Sequence, residues 1–349
     1  LVGNTYEVTE RIRALACEAA RRGTDPPLAL RPQNQTHAYY ELYEDLPLPE
    51  RQARSFAYAL THEPVRLYPG ERINGVWYGG TEIDPQWSHP DWGTDCAVTA
   101  ATERIRAEIP EFAELGQQWP QSPPQEGKGS FLIGEGASPG HIAWNYDLIL
   151  SLGVNGLINS HREALERADD PRARAYYEAV LICLDAMLEW NRLHVEDLRG
   201  MLDRARTPEE QAFVGENLRV MERVPAEPAR TFREAVQSFY FQWLCVMYEA
   251  PYGGNSPGRL DDLLWPYLEP EYVSGRLSYQ EAAELVAELY IKMDERVHLK
   301  DGHVNTIVVG GVRPDGTDGV TPLTMGMLDV FEKLDLTHPA VYTRISEVN

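Results

Sequence analysis

"VNTIVVGGVRPDGTDGVTPLTMGML", residues 304–328, reads as a strand, a tight turn and the start of a helix. The apolar run Val304 to Val309 ends in Gly310 and Gly311, and Pro314-Asp315-Gly316 supplies turn chemistry. A helix is predicted over 322–334, and a second apolar run, "AVYTRIS", gives a strand over 340–346. The end of the chain therefore carries one strand–helix–strand unit, in a text that is otherwise mostly helical.

Working back from that unit, three capping boxes mark helix starts. Thr207-Pro208-Glu209-Glu210 also places proline at the first helical position, where its missing N–H costs nothing. Thr231-Phe232-Arg233-Glu234 opens a helix over 232–249, with Phe232, Val236, Phe239, Trp243 and Met247 on its buried face. Ser278-Tyr279-Gln280-Glu281 opens 279–297, whose apolar face carries Leu285, Val286, Leu289 and Met293. The acid pairs Glu209-Glu210 and Asp261-Asp262 read as solvated helix-start charges. Further upstream, helices are predicted over 5–22, with Val8, Ile12, Leu15 and Ala19 inward, and over 50–62. Others follow over 144–152 up to Gly153, over 156–169 and over 172–204.

From about 75 to 140 the text changes. "GVWYGGTEIDPQWSHPDWGTD" and "WPQSPPQEGKGSFLIGEGASPG" are dense in Gly, Pro and aromatics and read as loops around one short helix near 98–108. The division expected is a loop-rich region over 1–140 with amphipathic helices, and a helical body over 141–349. Together they are expected to form one continuous domain.

The bulk numbers are those of an ordinary globular protein: 349 residues, 43% hydrophobic and 25% charged. A net charge of −22 argues against nucleic acid or an anionic membrane as the main partner. No stretch approaches the roughly 20 apolar residues of a membrane span, so a cytoplasmic protein is expected. The chain opens Leu1-Val2, so residues are expected to have been removed before it. Cys17, Cys96, Cys183 and Cys245 are too scattered for a disulfide framework or a metal site. Cys17, Cys183 and Cys245 lie in helical patterns and read as small buried hydrophobes, while Cys96 lies near a loop.

"PAEPARTFREAVQSFYFQWLCVMYEA", 225–250, resembles the segment P-R-T-F-x-E-A-x-Q-x-x-W/F of the glycyl radical enzyme family. That family includes pyruvate formate-lyase, the radical diol dehydratases and choline trimethylamine-lyase. Six further stretches agree in order. "LYPGERINGVWYG" and "GHIAWNYDLILSLGVNGLI" resemble its early segments. "SPGRLDDLLWPYLEPE" is similar to S-P-G-R-x-D-x-x-x-x-P-Y, and "SGRLSYQEAAELVAELYIKMDE" to the G-R-L-T-x-E-E-A helix. "NTIVVGGVRPDGTD" is similar to N-x-x-x-G-G-x-x-x-D-G, and "PAVYTRIS" to the P-x-x-x-x-R strand.

The resemblance implies an α/β fold: a helix-rich shell around the first half of a ten-stranded barrel, incomplete in this chain. It implies a lyase, dehydratase or acyltransferase of anaerobic metabolism, acting on a small polar substrate by thiyl-radical hydrogen abstraction. Neither the R-V-x-G-Y type of glycine motif nor a loop cysteine of the expected context occurs here, so both are expected downstream of 349. Family membership is enzymatic, but the radical-site motifs are absent from residues 1–349. No bound cofactor is expected. The organic radical would sit on a glycine outside this chain, installed by a radical-SAM activase. The partners implied are that activase, a small-molecule substrate, and the missing C-terminal half or a complementing chain. A homodimer is the expected assembly.

Candidate substrate-binding residues follow from the matched motifs: His141, Asn145, Ser256 and Arg259, with His89 in the unaligned "WSHPDWG". Ser256 would donate to a substrate hydroxyl, although the histidine of the family's H-S-x-S is missing from "GGNS". At Asn145 the family often has Asp. Arg259 reads as a loop anchor hydrogen-bonded to a carboxylate such as Asp261, or as a direct substrate contact. Arg344 reads as structural or as an anion contact. Two other classes stay open: a non-catalytic binding or scaffold protein derived from the family, and a carbohydrate-active helical enzyme suggested by the Trp- and Asp-rich loops.

Overall fold

The computed structural model describes residues 5–23, 34, 35, 37–76, 144–249, 256–295 and 306–347. His89, His141, Cys96, the Trp-rich loops and the helix expected at 98–108 lie outside these residues. In chain order the helices are α1 (Glu10–Gly23), α2 (Leu48–Thr61), α3 (Asp147–Arg167), α4 (Pro171–Arg204), α5 (Pro208–Arg223) and α6 (Phe232–Glu249). There follow β1 (Gly258–Arg259), α7 (Leu260–Val273), α8 (Tyr279–Asp294), β2 (Thr306–Gly310), α9 (Pro322–Leu334) and β3 (Ala340–Arg344). A π-helical turn spans Ala38–Leu42.

The helix starts fall where the caps put them. Thr207 and Ser278 each complete a reciprocal capping box, through Glu210 and Glu281. At α6 the box is modified. The Thr231 hydroxyl accepts from the Glu234 N–H at 3.2 Å, but the Glu234 carboxylate reaches back one residue further, to the Arg230 N–H at 2.8 Å.

The face assigned to α6 from its sequence was too narrow. Phe232, Val236, Phe239, Trp243 and Met247 are buried as expected, yet Gln237, Ser238 and Phe241 on other faces are buried as well. A helix buried all round is interior, and α2, α3, α5, α7 and α8 all pack against it. Its polar residues are matched inside: Gln237 Oε1 accepts from the Asn74 N–H at 2.7 Å, and its Nε2 donates to Asn74 O at 3.0 Å.

The two helices expected on either side of Gly153 are one element, α3, with a break at that residue. Gly153 has φ 68°, and a Cβ there would stand 2.5 Å from Ala226 O. The break lets the 225–229 segment dock: the N–H of Val154 donates to Pro225 O, that of Asn155 to Ala226 O, and that of Ala229 to Leu150 O. Glycine is required by both the dihedral and the space.

Ionic contacts that the sequence did not reveal tie α1 to α8. Arg22 donates to Glu71 at 2.6 Å and to Glu295 at 2.8 Å, all three side chains being buried. Glu71 also pairs with buried Lys292, and Glu288 accepts from Arg11 and from the backbone N–H groups of Arg72 and Ile73. Buried charges persist only when paired in this way. Cys17 departs from expectation, being exposed on α1. Cys183 and Cys245 are partly buried, and burial pushes the Cys183 thiol up to about 11 and the Cys245 thiol up as well.

The sheet is parallel throughout, in the order β1-β2-β3. Gly258 aligns with Ile307, and Ile307 with Val341. On β2, Ile307 and Val309 are buried against α7 and α9, while Thr306 and Val308 on the opposite face are half-buried. Strand β3 leaves Tyr342 and, just beyond it, Ile345 exposed.

Candidate functional site

Parallel strands deliver their loops to one end, and in α/β sheets ligands collect at the carboxyl ends. Arg259 closes β1, Gly310-Gly311 follows the apolar run of β2, and Arg344 closes β3. The strand register sets Gly310 beside Arg344.

Asp261 organises this end. It was expected to be a solvated helix-start charge and is instead completely buried. Its Oδ2 accepts from the Gly310 N–H at 2.8 Å and from the Thr324 hydroxyl at 2.6 Å. Its Oδ1 accepts from the Asp262 N–H at 2.8 Å. One carboxylate thus joins the start of α7, the end of β2 and the first turn of α9. Burial raises its pKa, opposed by those hydrogen bonds and by Arg259. The Tyr290 hydroxyl, raised by burial and by Asp261, is buried without a hydrogen-bond partner. Thr324 and Tyr290 were missed from sequence. The only available signal was the box Thr321-Pro322-Leu323-Thr324 that caps α9.

The bond expected between Arg259 and Asp261 is not formed, because Nε stands 4.0 Å from Oδ1. Arg259 Nη1 donates instead to Val312 O at a long 3.4 Å, and Nη2 lies 3.8 Å from Asp262 Oδ1. Its Nε and Nη2 are buried with no hydrogen-bond acceptor. Arg313 faces the same Asp262 oxygen at 3.7 Å. The turn after β2 closes by the Gly319 N–H donating to Gly311 O at 2.8 Å. A Cβ at Gly319 would stand 2.6 Å from Arg259 Nη2, so glycine is what lets the guanidinium lie flat on that turn.

Ser256 is half-buried and precedes β1, so it enters the sheet at the end opposite Arg344. Asn145 is exposed just before α3, a helix that packs on α4 and α6. Of the described candidates, Ser256 lies two residues before the short strand that Arg259 closes, and Asn145 stands apart from it. Among the described residues, no three His, Cys, Asp or Glu side chains gather as metal ligands, and no helix is long and apolar enough to cross a membrane.

A family model described as pyruvate formate lyase-like matches residues 130–349. Isethionate sulfite-lyase of Desulfovibrio desulfuricans is 30% identical over 236 residues, which are 62% of this chain and 28% of that protein. The (2S)-3-sulfopropanediol dehydratase of Klebsiella oxytoca is 23% identical over 355 residues, 88% of this chain and 43% of its own. A solved glycyl radical enzyme from Archaeoglobus fulgidus superposes with a TM-score of 0.79 at 19% identity, covering 97% of this chain and 48% of its own. The chain spans less than half the length of each of these relatives.

Proposed function

The chain belongs to the pyruvate formate lyase-like family of glycyl radical enzymes, and on that premise we propose that it forms the first part of an enzyme enclosure. The enclosure would serve a lyase or dehydratase acting on a small polar substrate. The thiyl cysteine and the radical glycine would come from polypeptide outside residues 1–349, and a radical-SAM activase would install the radical. Carbon-centred radicals must be kept from water and oxygen, so the protein's contribution is a closed wall as much as any reacting group. The observation that carries this reading is the parallel sheet. Parallel sheets are normally covered on both faces, yet the Thr306–Val308 face of β2 is only half-buried, and among the described residues β3 pairs with β2 alone. Further strands would complete the wall and turn that face into the lining. Ser256, half-buried at the entry to β1, is the residue proposed to donate to a substrate hydroxyl.

The test is anaerobic activation. Residues 1–349, incubated with a radical-SAM activase and reductant, are expected to give no glycine-type doublet by EPR. Adding a polypeptide that carries the cysteine and glycine loops is expected to give the doublet and turnover. A doublet from residues 1–349 alone would sink the proposal.

A further inference from the structure

Two of the motifs quoted from the sequence meet in space: "LYPGERINGVWYG" carries residues 71–74, and "PAEPARTFREAVQSFYFQWLCVMYEA" carries Gln237. Residues 71–74 belong to no helix and no strand. Among the described residues, their one bond to another backbone group runs from the Glu71 N–H to Tyr68 O, at a long 3.4 Å. Side chains from three helices hold the rest. Glu288 of α8 accepts from the N–H groups of Arg72 and Ile73. Asn217 of α5 donates to Glu71 O at 2.7 Å, and Arg233 of α6 donates to Arg72 O at 3.4 Å. Gln237 of α6 takes both the N–H and the C=O of Asn74, as a neighbouring strand would.

A segment held in this way differs from a strand in a sheet. It can leave without breaking a helix or a ladder, and the amide, carboxylate and guanidinium groups left behind are ones that water satisfies. Of its four side chains only Ile73 is both apolar and buried, while Glu71 and Asn74 are buried polar groups and Arg72 is half-buried. Hydrophobic burial therefore holds the segment closed through one residue. Glu71 shares its carboxylate between Arg22 and Lys292, and on opening all three regain hydration that burial removes. Gly70 at φ 84° and Gly75 at φ 102° stand at the two ends, where glycine absorbs the rotation of a hinge.

We propose that residues 71–74 form a strap that opens and closes as one unit about Gly70 and Gly75, with Gln237 as its latch. Closed, it seals the ionic cluster between α1 and α8. Open, it frees the Gln237 amide, the Glu288 carboxylate and the Lys292 ammonium while the helices stay folded. The device involves neither the sheet nor the proposed radical chemistry, and it stands or falls independently of both.

Native-state hydrogen exchange of the 349-residue chain, with amides resolved singly, tests it. After correction for intrinsic rates, the Arg72, Ile73 and Asn74 amides are expected to share one opening constant. That constant should lie at least about tenfold above those of the Phe239 and Trp243 amides in the middle of α6. Acetylation of Lys292 by acetic anhydride, read by mass spectrometry, should follow the same opening, since Glu71 leaves it with the strap. Gln237→Ala should raise exchange at the three amides about ten- to a hundred-fold. The parent alone can overturn the proposal: by a smaller margin over α6, by opening constants that differ more than about tenfold among the three amides, or by Lys292 acetylation that tracks α6 exchange instead. Strap amides that keep their parental rates in Gln237→Ala would overturn the latch.

Discussion

Replacing Asp261 is the sharpest test of what holds the strand ends together. Asp261→Ala removes the acceptor of three hydrogen bonds at a position with no solvent exposure. Thr324 can turn its hydroxyl to Thr321 Oγ1, 3.2 Å away, and the Asp262 N–H opens a helix whose side chain is partly exposed. The Gly310 N–H has no such recourse and is stranded at about 1–3 kcal/mol, with part of the cost of the other two bonds added. Removing a carboxylate that burial disfavours returns some of this. The net expectation is about 2–3 kcal/mol, read from urea unfolding at pH 7. The pH profile supplies a second check. A carboxyl whose folded pKa is raised binds a proton in the folded state before the unfolded chain does. Its contribution to stability therefore falls as pH rises from its ordinary value, 3.8, to its higher folded value, and is level above that. Asp261→Asn should erase this decline. An Ala variant within about 0.5 kcal/mol of the parent, below the cost of one neutral hydrogen bond, would refute the assignment.

His194 gives the opposite slope. Burial pushes it down to about 4 while its Nδ1 is hydrogen-bonded to Trp190 O, so the unfolded chain takes up a proton first as pH falls. Stability should decline from about pH 6.5 toward pH 4 by roughly 3 kcal/mol, and His194→Gln should flatten that decline in urea midpoints taken across the range. Gly153→Ala places a side chain at φ 68°, 2.5 Å from Ala226 O, and should cost about 2 kcal/mol or more by thermal unfolding. A parental melting temperature for that variant would mean the 225–229 segment does not need the break.

Much of this chain was legible before any coordinates. The caps at Thr207 and Ser278 and the ends of α9 involve partners within about four residues, so chemistry local in sequence decides them, and the break at Gly153 is announced by its residue type although the segment docked there, 225–229, is distant. The seven ordered motifs gave the family, since each is a short local pattern. What failed was the environment of individual charges. Asp261 reads like any acid at a helix start, and nothing adjacent to it announces burial. Its partners Gly310 and Thr324 are 49 and 63 positions away. Arg22 meets Glu295 across 273 positions, which is why those ionic contacts were invisible. Arg259 and Arg344 stand 85 positions apart in the chain and approach one turn only because β2 lies between their strands and is followed by Gly311 and Gly319, against which the two side chains rest. Sequence fixes where helices and turns begin, because those free energies are set by neighbours. Which charges are buried, paired or left without a hydrogen-bond partner depends on desolvation, and desolvation is decided by whatever distant segment packs on top.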